Sequence, residues 1–392
     1  MNLGTTVFTQ LMEHIDHNEF HRIVKRHLPR RRRMPFTCWD QFLCMAFAQL
    51  TYRDSLRDIE TCLRTLGKKL YHVGIRTAVS RSTLAHANEH RPWQIYQDLA
   101  LSLIARARIL YHHEHLLAEL EAAVYALDST VIELCLALFP WAKAAHHLKT
   151  TAALKLHTQL DLQSNLPVFA RVTEAAVHDL HVFDELVLEP GAFYVIDRGY
   201  LDFTRLRKID QAGAFFVIRA KKNLHFQRVS SRRVDKPWGL MVDQTIRLVV
   251  APSLVTYPDY LRRIKIRDIE QNRAFYFLTN NFVLDALTIS ELHRRRWQVE
   301  LFFRWIKQHL RIKSFYGTSR NAVNTQIWIA LSVFVLVAIV KKELKLEASL
   351  YTILQVLSVA LFEKTPINEV LSDSRLQFEN IQDPNQLSLF KL

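Results

Sequence analysis

The stretch AFYVID, residues 192–197, is a run of aromatic and aliphatic residues that ends in an aspartate. AVYALD, residues 123–128, has the same form. Such runs are typical of buried strands, so each predicts a core strand with a carboxylate at its end. A single aspartate at such a place is more often a turn former or a helix cap. Two of them, Asp128 and Asp197, at the ends of neighbouring strands can instead share a divalent cation, because carboxylate oxygens suit Mg²⁺ and Mn²⁺.

The segments around these two runs predict a mixed sheet with helices packed on it. AVYALD is followed by two further strand-like segments, AALKLHTQLDL and LPVFARVTEA, with the hairpin-like QSNLP between them. The helical segment HDLHVFDELVL comes next and is followed by the strand AFYVID. A second helical segment, YLDFTRLRKIDQAG, and the strand-like AFFVIRA complete the series. This order predicts an α/β fold. Short strand-like pieces then interrupt the alternation, and we interpret residues 221–285 as a β-rich insertion.

The stretch HRRRWQVELFFRWIKQHL, residues 293–310, places one interior acid among many cations. Read as a single helix at about 100° per residue, it puts Arg296, Glu300 and Lys307 on one face with His293. The apolar residues form a separate stripe that predicts burial. Glu300 is then either a solvated partner of Arg296, worth only about 0.3–0.5 kcal/mol, or a third metal-binding carboxylate. The solvated pair leaves the two strand-end acids unexplained.

Composition and charge limit the class of partner. The 392 residues carry a formal net charge of +14, which favours a polyanion such as nucleic acid or an anionic membrane surface. Residues 1–110 have a helical pattern and include the cluster Arg30 to Arg33, a composition suited to phosphates. Arg81 lies at the start of a further helix with Ser80 or Ser82 as its cap, as in a short DNA-reading helix. An ordinary capped helix is an equal alternative.

Three features predict a cytoplasmic protein that does not cross a membrane. The N-terminus lacks the basic start and apolar stretch of a secretory signal. The four cysteines show no CxxC pair, which favours reduced thiols over disulfides or structural zinc. The longest apolar run, Ile327–Val340, is shorter than the roughly 20 residues needed to cross a bilayer, so it predicts a buried core helix. We expect this helix to cover the sheet or to join a dimer.

These segments resemble the DDE transposases of bacterial insertion sequences, specifically the insertion-sequence-four-like family. The signature of that family is Tyr, two residues, Arg, three residues, Glu, six residues, Lys. At that spacing this chain has His293, Arg296, Glu300 and Lys307, so three of the four positions match. ALDST around Asp128, VIDRGY around Asp197, FVIRAKKN, FLTNN and FYGTSRNAVNTQ are also similar to segments of the family. The resemblance covers essentially the whole chain.

The resemblance implies a ribonuclease H-like core, an α/β fold whose mixed sheet has flanking helices and is interrupted by the β-rich insertion. It implies a helical DNA-binding domain over residues 1–115. The catalytic domain is expected over residues 116–320, with the insertion at about 221–285. A C-terminal helical region over residues 321–392 is expected to pack on the core or at a dimer interface.

The function implied is a metal-dependent transposase that binds the inverted-repeat ends of an insertion sequence, cleaves DNA and joins the 3′ ends to target DNA. It would act as a homodimer or a larger synaptic complex, at the bacterial nucleoid. A simple nuclease of the same fold and a catalytically inactive DNA-binding repressor are the alternatives.

The resemblance also implies residue roles. Two Mg²⁺ ions, or Mn²⁺, would be held by Asp128, Asp197 and Glu300 as the catalytic residues. The implied DNA contacts are Arg296, Lys307, His293, Arg198, Arg219, Lys221, Arg30, Arg31, Arg32, Arg33 and Arg81. His293 replaces the tyrosine of the family and titrates near neutral pH, so its role is open. An aromatic residue near the insertion, Trp238, Phe275 or Tyr276, could stack on a displaced base, although packing is the commoner use.

Overall fold

A computed structural model describes the chain over residues 4–28, 35–75, 78–112, 120–142, 152–220, 224–234, 239–268, 273–309 and 315–372. Two compact units interleave along the sequence. Unit 1 comprises residues 1–112, 134–142 and 305–392, and unit 2 comprises residues 113–133 and 143–304.

The described residues form helices and strands in the following order. The helices are α1 (Val7–Glu13), α2 (His17–His27), α3 (Cys38–Leu50), α4 (Leu56–Leu66), α5 (Arg81–His90), α6 (Gln94–Tyr111), α7 (Asp179–Phe183), α8 (Phe203–Gln211), α9 (Ala251–Thr256), α10 (Ala286–Arg295), α11 (Trp297–His309), α12 (Arg320–Glu343), α13 (Leu350–Ala360) and α14 (Ile367–Leu371). Short 3₁₀ turns cover Gly67–Val73 and Arg198–Tyr200. The strands are β1 (Val124–Leu134), β2 (Ala152–Asp161), β3 (Leu166–Glu174), β4 (Phe193–Ile196), β5 (Phe215–Arg219), β6 (Phe226–Ser231), β7 (Leu240–Leu248), β8 (Leu261–Asp268) and β9 (Arg273–Thr279).

Local capping signals set the ends of the helices in unit 1. The side chain of Ser55 accepts a hydrogen bond from the backbone N–H of Asp58 at the start of α4, and Ser80 does the same for Thr83 at the start of α5. Gly67 follows α4 with φ of 49°, a left-handed value that glycine adopts without strain. Of the two serines offered by the sequence, Ser80 is therefore the cap of α5.

Helix α12 is the core of unit 1. Its residues from Ala322 to Val340 are buried, as predicted for a core helix. It packs against α3, α5, α6 and α13, whereas the sequence suggested the sheet or a dimer partner. A helix that is apolar all round needs apolar neighbours on every side, and the N-terminal helices supply them. Alone among the described helices, α12 is long and apolar enough to span a bilayer, and its apolar window lies wholly inside the protein.

Unit 2 is built on a nine-stranded mixed sheet with the order β3-β2-β1-β4-β5-β9-β8-β7-β6. Strands β1, β4 and β5 run parallel to one another. The pairs β2–β3, β5–β9, β9–β8, β8–β7 and β7–β6 are antiparallel. Leu206 and Ile209 of α8 belong to one buried cluster with Tyr194 and Phe216 of the strands. The predicted mixed α/β sheet with helices packed on it is therefore present.

The predicted β-rich insertion extends this same sheet. Its last strand, β9, pairs with β5 through Val217 opposite Thr279 and Ile218 opposite Leu278. Strands β6 to β9 thus continue the sheet beyond β5. The sequence did not indicate β6, because nearly all of its residues are exposed and it lacks an apolar alternation.

Helix α7 is shorter than the segment HDLHVFDELVL predicts. It ends at Phe183, with Asp184 as its C-cap. A carboxylate at a helix C-terminus opposes the helix dipole, which disfavours continuation through this acidic segment. Asp184 instead accepts hydrogen bonds from Arg205 and Lys208 of α8, each at 2.6 Å.

Candidate active site

Strands β1 and β4 bring the first two aspartates to neighbouring positions. The strands pair in parallel with Leu127 opposite Ile196, so Asp128 and Asp197 follow side by side on strands that lie roughly 4.8 Å apart. Asp197 comes directly after β4, as predicted. Strand β1 continues past Asp128 to Leu134, so Asp128 marks the end of the pairing with β4 and not the end of its strand.

The basic stretch at residues 293–310 forms two helices, and the prediction of one continuous helix is wrong. Arg296 separates them as the C-cap of α10. The backbone N–H of Val299 donates to the Arg296 carbonyl at 3.0 Å, which is a tight turn. Arg296 itself keeps right-handed helical torsions, with φ of −51° and ψ of −29°, so the interruption between the two helices is confined to this one residue. Helix α10 packs against β4 and β5, and this packing carries Arg296 to the aspartates.

The side chain of Arg296 joins two of the three predicted carboxylates. Its Nη1 donates to Asp128 Oδ2 at 2.8 Å, and its Nη2 donates to Glu300 Oε1 at 2.5 Å. The side chain of Arg296 is only 13% exposed, against 21% for Asp128 and 33% for Glu300. Arg296 and Glu300 are therefore not the solvated surface pair considered above, because the same cation also links α11 to β1.

The three acids and Arg296 act on one another electrostatically. Burial raises the pKa of Asp128, and the Arg296 guanidinium offsets part of that shift. Glu300 and Asp197 raise the pKa of Asp128 further, because like charges disfavour ionisation. Burial by itself would lower the pKa of Arg296, but Asp128, Glu300 and Asp197 together raise it. Asp197 thus lies close enough to affect the pKa of both Asp128 and Arg296.

The donor set fits a divalent cation. Asp128, Asp197 and Glu300 offer the hard oxygen atoms that Mg²⁺ and Mn²⁺ favour. A positive charge already lies between two of them, in the form of the Arg296 guanidinium. As the side chains lie, no group of three His, Cys, Asp or Glu among the described residues is close enough to hold one ion. Metal binding by the three acids stays a prediction.

His293 lies beside this site as a partly buried, neutral ring. Its centroid is 4.8 Å from that of Phe277, and its Nε2 is buried without a hydrogen-bond partner. Burial, with a contribution from Arg296 and Arg219, lowers the pKa of His293 to about 3. The imidazole is therefore uncharged near pH 7 and adds no positive charge to a phosphate contact.

The other predicted DNA contacts are spread along the chain. Arg198 is exposed in the 3₁₀ turn directly after Asp197, and Arg81 is exposed at the first residue of α5 in unit 1. Lys307 is partly buried in the part of α11 that belongs to unit 1. The predicted residues that lie outside the described ranges are Arg30, Arg31, Arg32, Arg33, Lys221 and Trp238.

Two aromatic residues that were candidates for base stacking lie against cations. The Arg219 guanidinium is 4.7 Å from the centroid of the Phe275 ring. Arg263 and Lys265 of β8 lie 4.7 Å and 5.4 Å from the centroid of Tyr276 on β9. Rings and basic side chains thus lie together on these strands, a composition suited to single-stranded nucleic acid.

Polar neighbours of Asp128 went unrecognised in the sequence. The backbone N–H of Ser129 donates to Asp128 Oδ1 at 2.8 Å, and Ser129 Oγ donates to Asp179 Oδ1 at 3.0 Å. Burial raises the pKa of Tyr200, and the carboxylates of Asp179 and Asp128 add to that shift. The signals that could have found them were ALDST and VIDRGY around the two acids, and the polar dipeptide of His178 and Asp179 at the start of a helical segment.

Comparison with known proteins identifies similar chains. A family model described as "Transposase DDE domain" matches residues 119–336, and one described as "Domain of unknown function (DUF4372)" matches residues 3–76. The protein y4zB of Sinorhizobium fredii, named as a transposase, is 32% identical over 292 residues, which are 72% of this chain and 78% of that protein. A protein of Geobacillus stearothermophilus, named as a transposase for insertion sequence element IS5377, is 31% identical over 212 residues, 54% of each chain.

A third relative and one solved structure extend the comparison. A protein of Synechocystis, named as a transposase for insertion sequence element IS4SA, is 22% identical over 329 residues, 81% of this chain and 87% of that protein. The cryo-EM structure of a piggyBac transposase synaptic complex with hairpin DNA aligns with 96% of this chain and 82% of that chain, at 9% identity and a TM-score of 0.46, which is too low to assign residue roles. The DDE match covers more than half of the chain and includes β1, β4, α10 and α11. The protein therefore belongs to the DDE transposases, DNA transposases that cleave DNA and transfer its strands in a reaction that depends on divalent metal ions.

Proposed function

We propose that this transposase binds the inverted-repeat ends of an insertion sequence, cleaves DNA there and joins the 3′ ends to target DNA, with Asp128, Asp197 and Glu300 as its catalytic carboxylates. The observation that supports this most is the bridge of Arg296 between Asp128 and Glu300. Acids on β1 and on α11 lie at one cation although they are far apart in the sequence. The electrostatic effect of Asp197 on Arg296 adds the third acid to this group.

The proposed fold of the catalytic region is ribonuclease H-like. The order β3-β2-β1-β4-β5, with β1, β4 and β5 parallel, supports this proposal. In such a fold β6 to β9 are the family's β insertion, joined to the core sheet through β5 and β9. The domains 1–115, 116–320 and 321–392 are part of the same proposal.

Asp128, Asp197 and Glu300 are proposed to hold two Mg²⁺ ions, with Mn²⁺ as a substitute. Bound divalent metal would activate the attacking hydroxyl and stabilise charge on the leaving oxygen. Arg296, now paired with Asp128 and Glu300, would contact a DNA phosphate beside them. Arg219 lies close enough to His293 to affect its pKa, so it would add a second cation at this place.

The proposed partner is double-stranded DNA, at the element ends and at the target, bound by a homodimer at the nucleoid in the cytoplasm. The net charge of +14 supports a polyanionic partner. The further proposed DNA contacts are Lys307, His293, Arg198, Arg81, Lys221, Arg30, Arg31, Arg32 and Arg33.

The catalytic assignment is tested with Glu300→Gln. Gln keeps the size and helix propensity of Glu but removes the charge of a metal ligand, so cleavage of a labelled end duplex in Mg²⁺ should fall by orders of magnitude. Binding of the duplex in Ca²⁺ should survive. Glu291→Gln is the matched control, because Glu291 pairs with Arg294 and Arg295 on α10. If Glu300→Gln cuts as well as the parent, Glu300 is not a catalytic ligand.

The same assay separates the alternative functions. A nuclease would cut the end duplex without joining its 3′ ends to a second DNA. A repressor would bind the duplex in Ca²⁺ and leave it uncut in Mg²⁺. Lys307→Ala should weaken binding while residual cleavage persists at high protein concentration, because it removes a phosphate contact and leaves the three acids in place.

A further inference from the structure

A second group of polar side chains lies beside Asp128 in the described part of unit 2: Ser129, Lys155, His157, Thr173 and Asp179. We propose that Asp179 is a positioning residue for the transposase reaction. It holds Ser129, and through the backbone of Ser129 it fixes the orientation in which the Asp128 carboxylate meets a metal ion. The proposal rests on the proposed function, because it requires Asp128 to be a metal ligand.

Ser129 contacts both carboxylates. Its Oγ donates to Asp179 Oδ1 at 3.0 Å, and its backbone N–H donates to Asp128 Oδ1 at 2.8 Å. The other oxygen of Asp128, Oδ2, accepts from Arg296 at 2.8 Å. Hydrogen bonds therefore orient both oxygens of the Asp128 carboxylate. Oδ1 is oriented by Ser129, the residue that Asp179 holds.

Asp179 is itself anchored to β2. Lys155 Nζ donates to Asp179 Oδ1 at 3.2 Å and to the carbonyl of Val177 at 3.0 Å. His157 Nδ1 lies 3.4 Å from the same Asp179 oxygen. His157 Nε2 lies 2.8 Å from Thr173 Oγ1, and that hydroxyl donates to the carbonyl of Glu174, so the imidazole proton belongs on Nε2. With that tautomer His157 Nδ1 carries no proton, so the hydrogen bond that holds Asp179 comes from Lys155 of β2.

Asp179 is not needed to start α7. His178 is the N-cap of that helix, and its Nδ1 accepts from the backbone N–H of Leu180 at 3.2 Å. An acid in the first turn usually serves the free N–H groups of its own helix. The Asp179 carboxylate instead contacts Ser129 on β1 and Lys155 on β2. The Asp179 side chain is thus oriented to hold Ser129 and not to cap its own helix.

Hydrogen bonds that orient a metal ligand contribute to metal affinity, and their loss costs roughly 10-fold to 100-fold. Without the Asp179 carboxylate, Ser129 loses its acceptor and the Lys155 ammonium loses its ion-pair partner. Ser129 is then held less firmly, and with it the backbone N–H that orients Asp128 Oδ1. The ligand itself remains present, so metal binding should weaken and not vanish.

The experiment measures Mn²⁺ binding to the full chain by calorimetry, without DNA. Asp179→Ala and Ser129→Ala should each raise the Kd for Mn²⁺ about tenfold or more. Asp179→Asn keeps an oxygen that accepts from Ser129, so its effect should be smaller. Asp184→Asn is the matched control, because Asp184 follows the same short helix but pairs with Arg205 and Lys208. Its Kd should equal that of the parent.

A second measurement distinguishes positioning from a general loss of structure. The Mg²⁺ concentration that gives half-maximal cleavage of an end duplex should rise in Asp179→Ala, and saturating Mg²⁺ should restore most of the parent rate. A merely structural role would lower the rate by the same factor at every Mg²⁺ concentration, and that result would overturn the proposal. If Asp179→Ala does not fold, Ser129→Ala and Asp179→Asn carry the test.

Asp128→Asn separates failure of this inference from failure of the proposed function. The inference alone is overturned if Asp128→Asn abolishes Mn²⁺ binding while Asp179→Ala and Ser129→Ala bind like the parent. If Asp128→Asn also binds like the parent, Asp128 is not a ligand and both proposals are overturned. Both proposals are supported if Asp128→Asn abolishes Mn²⁺ binding while the Asp179 and Ser129 variants bind Mn²⁺ more weakly than the parent.

Discussion

Among single residues, burial decides which groups near the site carry a charge. Burial is the largest cause that lowers the pKa values of His157 and His293, to about 4 and about 3. Arg296 is also partly buried, but the carboxylates of Asp128 and Glu300 raise its pKa. The positive charge between Asp128 and Glu300 is therefore held by Arg296 over the whole physiological pH range.

His157 should make the folded state sensitive to acid. Its pKa is about 4 when folded, against an ordinary value of 6.5, so below pH 6.5 the unfolded chain binds a proton that the folded chain excludes. The contribution of neutral His157 to the free energy of unfolding is fully present above pH 6.5 and is lost as the pH falls toward 4. Between about pH 7 and about pH 5 the loss is roughly 2 kcal/mol. Asp179 opposes the shift, while Lys155 and Arg171 add to it.

The test is His157→Gln, which retains a side-chain donor for Thr173. The free energy of unfolding of parent and variant should be compared at several pH values in that range by urea denaturation. The parent should lose more stability than the variant as the pH falls. Parallel pH dependences would show that the pKa of His157 is the same in the folded and unfolded states. Only the slopes are compared, because the substitution itself can change stability.

At the level of elements, the inserted strands fix the start of the helix that leads to the proposed active site. Arg262 of β8 is fully buried and donates to both oxygens of Asp243 of β7, at 2.9 and 2.8 Å. Its Nη1 also donates to the carbonyls of Asn281 and Leu284, at 3.3 and 2.5 Å. These carbonyls lie between β9 and α10, just before the N-cap Asp285. The position of α10 therefore depends on the insertion.

We expect Arg262→Met to destabilise unit 2 by about 3–5 kcal/mol, because it leaves the buried carboxylate of Asp243 without its partner. The double variant Arg262→Met with Asp243→Leu should recover most of that loss, since an apolar pair replaces the ion pair. Urea denaturation of the parent, the single variant and the double variant measures both effects. If the double variant is no more stable than the single variant, the lost contacts to the two carbonyls carry the effect and the ion pair does not.

At the level of the whole molecule, the units do not follow the chain order. The predicted domain 1–115 and the predicted region 321–392 fall mostly in the same compact unit, around α12. Without α12, the apolar faces of α3, α5 and α6 would be exposed to water. Burial of apolar surface is the main favourable contribution to folding, so these helices need α12 for a stable core.

A fragment of residues 1–115 should therefore not fold as an independent domain. We expect it to unfold without a cooperative transition in circular dichroism and to aggregate at micromolar concentration, because its apolar helix faces lack a partner. The matched control is a single chain in which a flexible linker joins residues 1–112 to residues 315–372, which restores α12 to α14. It should show a cooperative transition. A cooperative transition in the 1–115 fragment alone would contradict this account of unit 1.

Features that depend on neighbours within a few residues can be read from the sequence alone. The apolar runs before Asp128 and Asp197 specify strands, and Ser80 specifies a helix start, because alternation and capping act over one strand or one turn. The acid and cations around Glu300 are visible for the same reason. These local patterns, with the family resemblance, were sufficient for the mixed α/β class and for the transposase function.

Relations between residues that are distant in the chain are visible only in the folded molecule. The break at Arg296 is invisible in a helical wheel, because it accompanies contacts with Asp128 on another element. The contact of Ser129 with Asp179 joins two segments that look like an ordinary strand and an ordinary helix start. The partners of α12 were equally open, since an apolar helix packs against any apolar surface that the fold brings to it. Such contacts depend on which elements meet in three dimensions, and no pattern within one segment carries that information.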